Sequence, residues 1–384
     1  MQEDFHYYAT YSAAILAGFS HEESLDIGYS AQMVDWCTRT FLSKIKGPQS
    51  AATTQLQLEL VEARTDAVGI QDITRIWSSF HFLPYDLYAD VKGSRSYRNK
   101  YRLICDTNGD LLIDTVNLAK DKSLQAIGLA MHVLADTWAH RYFAGTPSVV
   151  INNTNHHFYE IIRDGDSFSE RPLSFMHSLG KGDDPEKGMY TATIFQFDEN
   201  SIMSLGHGRA GHLPDYSYMR YRYLPAWGDF AEIIKDNPSD YYHAFTQMIY
   251  AMKYLRGIYP SFEKETYDTD AVAAYKDEIM EIFEKRQTDS CEDWKAFGEK
   301  LTGKQIEPFD MWKYQDEYTE AGEDEKDNTF LGRFFIAALS QKSMVTNKIY
   351  KSGNKLAGYS VDFDKKGFKG IKDYKKLVDI KEKR

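Results

Sequence analysis

The stretch His132-Val133-Leu134-Ala135-Asp136-Thr137-Trp138-Ala139-His140 reads H-x-x-x-D-x-x-x-H inside an apolar run from Leu124 to Phe143. An α-helix turns once in about 3.6 residues, so side chains spaced four apart lie on one face and drift slowly around the axis. His132, Asp136 and His140 therefore form a polar stripe on an otherwise greasy helix. Such a stripe must be hydrogen-bonded, metal-bound or exposed, because an unpaired buried carboxylate is expensive. Histidine and aspartate at this spacing can close around a transition metal.

The rest of the chain reads outward from that helix as mainly α. Phe5 to Leu16 is helix-like and broken by Gly18, and Ser20-His21-Glu22-Glu23 is a capping box opening a helix to about Thr40. Thr53 to Ala63 alternates as a strand does, and Arg75 to Leu83 would be its partner in a small β-hairpin insertion. After the turn Asn108-Gly109-Asp110 come helices over Leu111–Ala119 and Leu124–Phe143, closed by Gly145-Thr146-Pro147. Residues 164–190 are rich in Gly, Asp, Ser and Pro and read as a long loop. A helix begins at Pro238 and ends before Pro260, and residues 268–343 are helical, acidic and aromatic.

Three segments follow: a helical core with the candidate ligands (1–262), an acidic helical extension (263–340) and a basic tail (341–384). The tail holds 13 Lys and Arg against 5 Asp and Glu, a net +8 that leaves −19 for residues 1–340 within the total of −11. An acidic body argues against stable binding of duplex nucleic acid. The extension and tail would serve a protein partner or self-association. No apolar run approaches the roughly 20 residues of a membrane helix. The start, Met1-Gln2-Glu3-Asp4-Phe5-His6, lacks the pattern of a secretion signal. Cys37, Cys105 and Cys291 are too scattered for a zinc ribbon or a disulfide framework, so the expected location is cytoplasmic.

Further candidate ligands surround the motif helix. His6 lies on the first helix, Asp35 in Ala31-Gln32-Met33-Val34-Asp35-Trp36, and His81 in Phe80-His81-Phe82-Leu83-Pro84. Gly206-His207-Gly208-Arg209-Ala210-Gly211-His212-Leu213-Pro214-Asp215 adds two histidines and an aspartate in a Gly-rich turn, where backbone can approach closely. Taken singly, each has an ordinary structural explanation; three on one helical face do not.

With these residues in hand, two resemblances emerge. The chain resembles an uncharacterised microbial domain-of-unknown-function family over about residues 1–260. The shared motifs are Asp4-Phe5-His6, the run from Tyr29 to Asp35, Phe80 to Pro84, His132 to His140, and Gly206 to Asp215. More distantly, the order of its candidate ligands is similar to that of zinc-dependent phospholipases C and P1-type nucleases. Those are all-α enzymes that cleave phosphodiesters with three clustered zinc ions. That resemblance implies a phospholipase C/P1 nuclease-like helical bundle. It implies that Asp35, His81, His132 and Asp136 hold one ion, that Asp136 bridges to a second with His6, and that His140, His207 and Asp215 hold a third. The chain departs from the pattern in three places. It begins at Met1 where those enzymes use the amine and carbonyl of an N-terminal Trp. His140 falls early, and the closing H-x-x-x-E is replaced by the Gly-rich turn. Two ions suit the sequence as well as three.

The expected function is a metal-dependent hydrolase, a phosphoesterase acting on a small or locally exposed phosphodiester. Zinc is the expected ion, Asp35 or Asp215 the general base, and Arg141 and Arg209 the phosphate clamps. The alternative is a non-catalytic helical scaffold with a structural metal. Neither the His-Asp dipeptide of HD-type phosphohydrolases nor a G-x-S-x-G nucleophile elbow occurs. Of the paired E-x-x-H motifs of di-iron bundles, only Glu3–His6 is present.

Overall fold

Polar caps and apolar periodicity set most of the helices. The computed structural model describes residues 1–61, 67–154, 157–165, 167–176, 182–191 and 205–358. A π-helical turn, Asp4–Ala9, runs into α1 (Thr10–Leu16). The Ser20 hydroxyl and the Glu23 carboxylate complete the expected capping box of α2 (His21–Trp36), which ends short of Thr40 and is followed by α3 (Arg39–Lys44). Next come α4 (Gln57–Val61), α5 (Ala67–Phe80), α6 (Arg95–Tyr101) and α7 (Asp110–Leu118). The motif helix is α8 (Leu124–Ala139); Ser123 caps its start, and His140 is already its C-cap.

The hairpin expected over Thr53–Ala63 and Arg75–Leu83 is not formed. Residues 57–61 and 67–80 are helical, while residues 62–63 of the first strand lie outside the described residues. The apolar positions Ile73, Ile76 and Phe80 recur at helical spacing and are all buried on one face. That period outweighs the short alternation read as a strand.

The sheet lies elsewhere, partly in the segment expected to be loop. After α9 (Val149–Asn152) come β1 (Tyr159–Asp164), β2 (Ser167–Pro172), β3 (Ser174–Met176) and β4 (Met189–Thr191), then β5 (Arg220–Tyr223) and β6 (Ile233–Asp236). Antiparallel pairing gives the order β2-β1-β5-β6, and β3 and β4 form a separate parallel pair. The chain returns to helix in α10 (Asn237–Leu255), α11 (Lys276–Glu284), α12 (Cys291–Thr302), α13 (Gln315–Glu320) and α14 (Phe330–Lys351). The mainly α architecture expected from the sequence is present. The boundary drawn at residue 340 falls inside α14. Phe283, Trp294 and Phe335, all beyond residue 262, share one hydrophobic cluster with Phe5, Met131 and Leu134.

Two close approaches position the site. A Cβ on Gly128 of α8 would lie 2.3 Å from the Ile27 carbonyl of α2, and one on Gly28 of α2 would lie 2.8 Å from the Tyr7 carbonyl of the π-turn. Only glycine lets these three segments pack so tightly. Each of them carries candidate ligands. A second, aromatic cluster of Phe82, Phe143, Phe158, Tyr221 and Tyr223 links the sheet to the other flank of the site. Among the described residues no helix is long and apolar enough to cross a membrane.

Candidate metal centre

The eight candidate ligands come from six places in the chain. His6 sits on the π-turn, an irregularity that recurs at functional sites, and Asp35 on the last turn of α2. His81 follows the end of α5, and α8 presents His132 and Asp136, with His140 at its cap. His207 lies in the turn before a 3-10 segment, Leu213–Asp215, that carries Asp215. The Gly-rich turn works as expected: Gly211 has φ +56°, and a Cβ there would meet the Thr191 carbonyl. Asn237, buried on α10, donates to the carbonyls of Leu213 and Tyr216, each at 2.8 Å, and so pins the segment bearing Asp215.

These side chains converge as three groups whose potential ligand atoms lie within 4.8 Å of one another: His6–Asp35–His132, His81–His132–Asp136 and His140–His207–Asp215. His132 belongs to two of them. Asp136 touches more than its own group, with Oδ1 3.2 Å from His6 Nε2 and Oδ2 3.2 Å from both His81 Nδ1 and His132 Nε2. The burial is deep: His6 and His132 are fully buried, Asp136 is 1 % exposed, and Asp35, at 30 %, is the opening to solvent.

The hydrogen bonds decide what this arrangement can hold. A main-chain carbonyl only accepts, so a ring nitrogen within bonding distance of one is the donor. His81 Nε2 donates to Thr53 O at 3.1 Å, His140 Nδ1 to His81 O at 2.7 Å, and His207 Nδ1 to Gly211 O at 2.7 Å. In the neutral ring the other nitrogen is then a bare lone pair. For His81 and His140 it faces a carboxylate oxygen at 3.2 Å, and for His207 at 3.7 Å. Two electron-rich atoms so close repel unless a cation or a shared proton lies between them. At His140 and Asp215 the Met1 amine, 3.4 Å and 3.1 Å away, already supplies one, so the contacts of His81 and His207 carry the argument for a metal. One N–H on a backbone carbonyl and the other nitrogen free is also how metal-ligating histidines are held. His6 Nδ1 and His132 Nδ1 have no hydrogen-bond partner among the described residues, and His6 Nε2 has only its approach to Asp136.

The electrostatics agree. Burial, and for His6 the neighbouring His132 as well, lowers His6, His132 and His207 to about 4, so their rings are neutral at pH 7. Burial opposes the charge on Asp136, but His140, the terminal amine, His132 and His6 hold its carboxyl well below the usual range. Asp215 is held low against burial by the terminal amine and His207. Asp35 goes the other way, because desolvation pushes its carboxyl up.

One group was missed by sequence reasoning. The Met1 amine is buried 2.9 Å from Asp136 Oδ1, 3.1 Å from Asp215 Oδ1 and 3.4 Å from His140 Nε2. Burial works against its charge, yet Asp136, Asp215 and Asp35 together hold it up at about 11. The H-x-x-x-D-x-x-x-H period could not reveal it, since a backbone terminus leaves no side-chain pattern. His212 stands outside the three groups; its Nδ1 lies 3.2 Å from Asp215 Oδ2, and that bond raises its pKa. Among the contacts described, the two expected phosphate clamps engage residues outside the cluster. Arg141 is paired with Asp106 at 2.9 Å and Asp240 at 3.2 Å, and Arg209 is buried and donates to Asn153 Oδ1 at 2.9 Å.

A mainly helical chain with a buried His/Asp cluster defines a class but no activity. Residues 1–349 match DUF6765, a family of unknown function, and the chain belongs to that family. No curated protein and no solved structure matches it.

Proposed function

We propose that the protein is a metal-dependent hydrolase, a phosphoesterase that acts on a small or locally exposed phosphodiester with two or three divalent ions, zinc foremost. The observation that carries this reading is the set of carbonyl-anchored histidines whose free nitrogens face Asp136 and Asp215. Imidazole nitrogens with carboxylate oxygens suit zinc and its first-row neighbours. His6, Asp35, His81, His132, Asp136, His140, His207 and Asp215 would hold the ions. Held there, such ions polarise a phosphoryl oxygen, lower the pKa of a water and steady the leaving oxygen. The order of the candidate ligands, which resembles that of zinc-dependent phospholipases C, supports the same chemistry.

Of the two candidate bases, Asp35 suits the task better. It is the most exposed carboxylate of the cluster, so it can meet an incoming water. Asp215 is engaged by the Met1 amine, His140 and His212, which keep it charged and fixed. His212, with 56 % of its side chain exposed, can supply a proton on the open side. One observation favours the scaffold reading: His81, His132 and Asp136 are all 4 % exposed or less, as closed structural sites are. The exposure of Asp35 and His207, 30 % and 17 %, favours the enzyme.

Hydrolysis of bis(p-nitrophenyl) phosphate tests the proposal. Turnover that is abolished by a chelator and restored by zinc or manganese is expected. A fully metal-loaded protein that leaves this diester intact would overturn the phosphoesterase assignment.

A further inference from the structure

A cavity of about 570 Å³ lies where α7, the N-terminal half of α8 and α14 meet. None of its lining residues belongs to the three histidine–aspartate groups. Its size falls within the range of sites that hold small organic molecules. Leu118, Leu129, Ile336 and Met344 form the apolar part of its walls, with Thr115, Ser340, Ser343 and Asn347 set among them.

The polar groups are placed at two depths. Gln341, 1 % exposed, lies deep; its amide nitrogen donates to Ser79 O at 3.1 Å and to Thr115 Oγ1 at 2.9 Å. Its amide oxygen has no partner among the described residues, an expensive arrangement for a buried acceptor. Lys122 and Arg333 line the cavity from exposed positions, so they mark its mouth, and neither is in an ion pair among the described residues. Asp327 is the third charged lining residue, which leaves one surplus positive charge. Ser123, the N-cap of the 16-residue α8, lines the same cavity, and the start of a helix carries a partial positive charge. Apolar walls beneath a cationic mouth are complementary to one kind of molecule.

We propose that this cavity is a binding site for a small amphipathic anion, an organic acid whose apolar body lies against Leu129, Ile336 and Met344 and whose acid group lies at Lys122 and Arg333. Two cations against the single carboxylate of Asp327 favour an anionic amphiphile over a cationic one. The proposal is independent of whether the metal centre is catalytic.

Calorimetric titration of the full chain with decanoate tests it, with decylamine as the charge-reversed control. The expected result is saturable binding of one decanoate per chain and none of decylamine. Reversing the mouth with Lys122→Glu and Arg333→Glu together weakens decanoate at least tenfold; both positions are exposed, and circular dichroism checks that the double variant keeps its helices. Ala337→Phe, which fills the cavity from α14, abolishes binding, with circular dichroism checking that the helices remain. Absence of saturable binding overturns the proposal. So does equal binding of decylamine. Decanoate binding that survives both sets of variants places the acid elsewhere, at the metal centre for instance, and overturns it too.

Discussion

Gly128→Ala probes the packing on which the centre depends. The added methyl would lie 2.3 Å from the Ile27 carbonyl oxygen, 2.7 Å from Ser30 Cβ and 3.1 Å from the Ala31 nitrogen, where ordinary contacts begin at 3.4 Å. The nearest of these atoms is backbone, so no side chain can swing away; α2 and α8 must separate by about 1 Å, and overpacking of this kind costs about 3 kcal/mol at its upper end. Alanine offsets roughly 1 kcal/mol of that through its better helix propensity. A net destabilisation of about 2 kcal/mol is expected, read as a lower urea midpoint at unchanged slope. The same displacement moves Asp35 on α2 away from His132 on α8, now 3.9 Å apart, so metal retention should weaken as well. A variant as stable as the wild type, or more stable, would show that propensity wins and that the helices do not approach as described.

Three other perturbations separate structural from functional roles. Lys342 is buried, donates to the carbonyls of Ser50 and Ala52, and is lowered by desolvation from 10.5 to about 7. At Lys342 the native state thus binds fewer protons than the unfolded chain across that window, so its contribution to stability should rise with pH, by about 1 kcal/mol per unit, between the two values. The Met1 amine, held up at about 11, works in the opposite direction above pH 8 in any variant. The rise is therefore read in the difference between wild type and Lys342→Met by urea unfolding at pH 7 and 9; equal pH dependence of the two would refute it. Arg141→Ala should cost about 2 kcal/mol by stranding the partly buried Asp106, while Asp240 keeps its pairing with Lys235, yet leave bound metal unchanged. Loss of metal in that variant would assign Arg141 a role in the centre itself. A chelator should lower the melting temperature of the wild type, because ions that bind only the native state stabilise it. Identical melting with and without chelator would contradict such binding.

Local signals explain what could be read from the chain. The capping box at Ser20–Glu23 and the Ser123 cap are satisfied within one turn of helix, so sequence alone places both helix starts. The H-x-x-x-D-x-x-x-H spacing puts its residues on one face whatever surrounds them. The resemblance already set His140 beside His207 and Asp215, and His81 beside His132 and Asp136, as they lie here; what it did not give is the group of His6 with Asp35 and His132. His6 lies with Asp35 and His132 because of the approaches at Gly28 and Gly128, which are tertiary events. The hairpin expectation failed because Thr53–Ala63 alternates too briefly to decide, whereas Ile73, Ile76 and Phe80 form a buried helical stripe. The strand β2 was missed for the opposite reason: it is exposed along most of its length, so no alternation marks it. Asn237 left no signal, being an ordinary polar residue, and the Met1 amine left none in the side-chain pattern; the amine ligand of the zinc-dependent phospholipases C was the one pointer to it.

Elemental analysis of the purified full chain tests the central claim most directly, with Asp136→Asn measured beside it. Asp136 contacts His6, His81 and His132 together, so its carboxylate is the hub of the cluster. The account predicts two or three zinc-like ions per chain in the wild type and at most one in the variant, with helix content unchanged by circular dichroism. Wild-type protein that stays metal-free after incubation with excess zinc or manganese would contradict it.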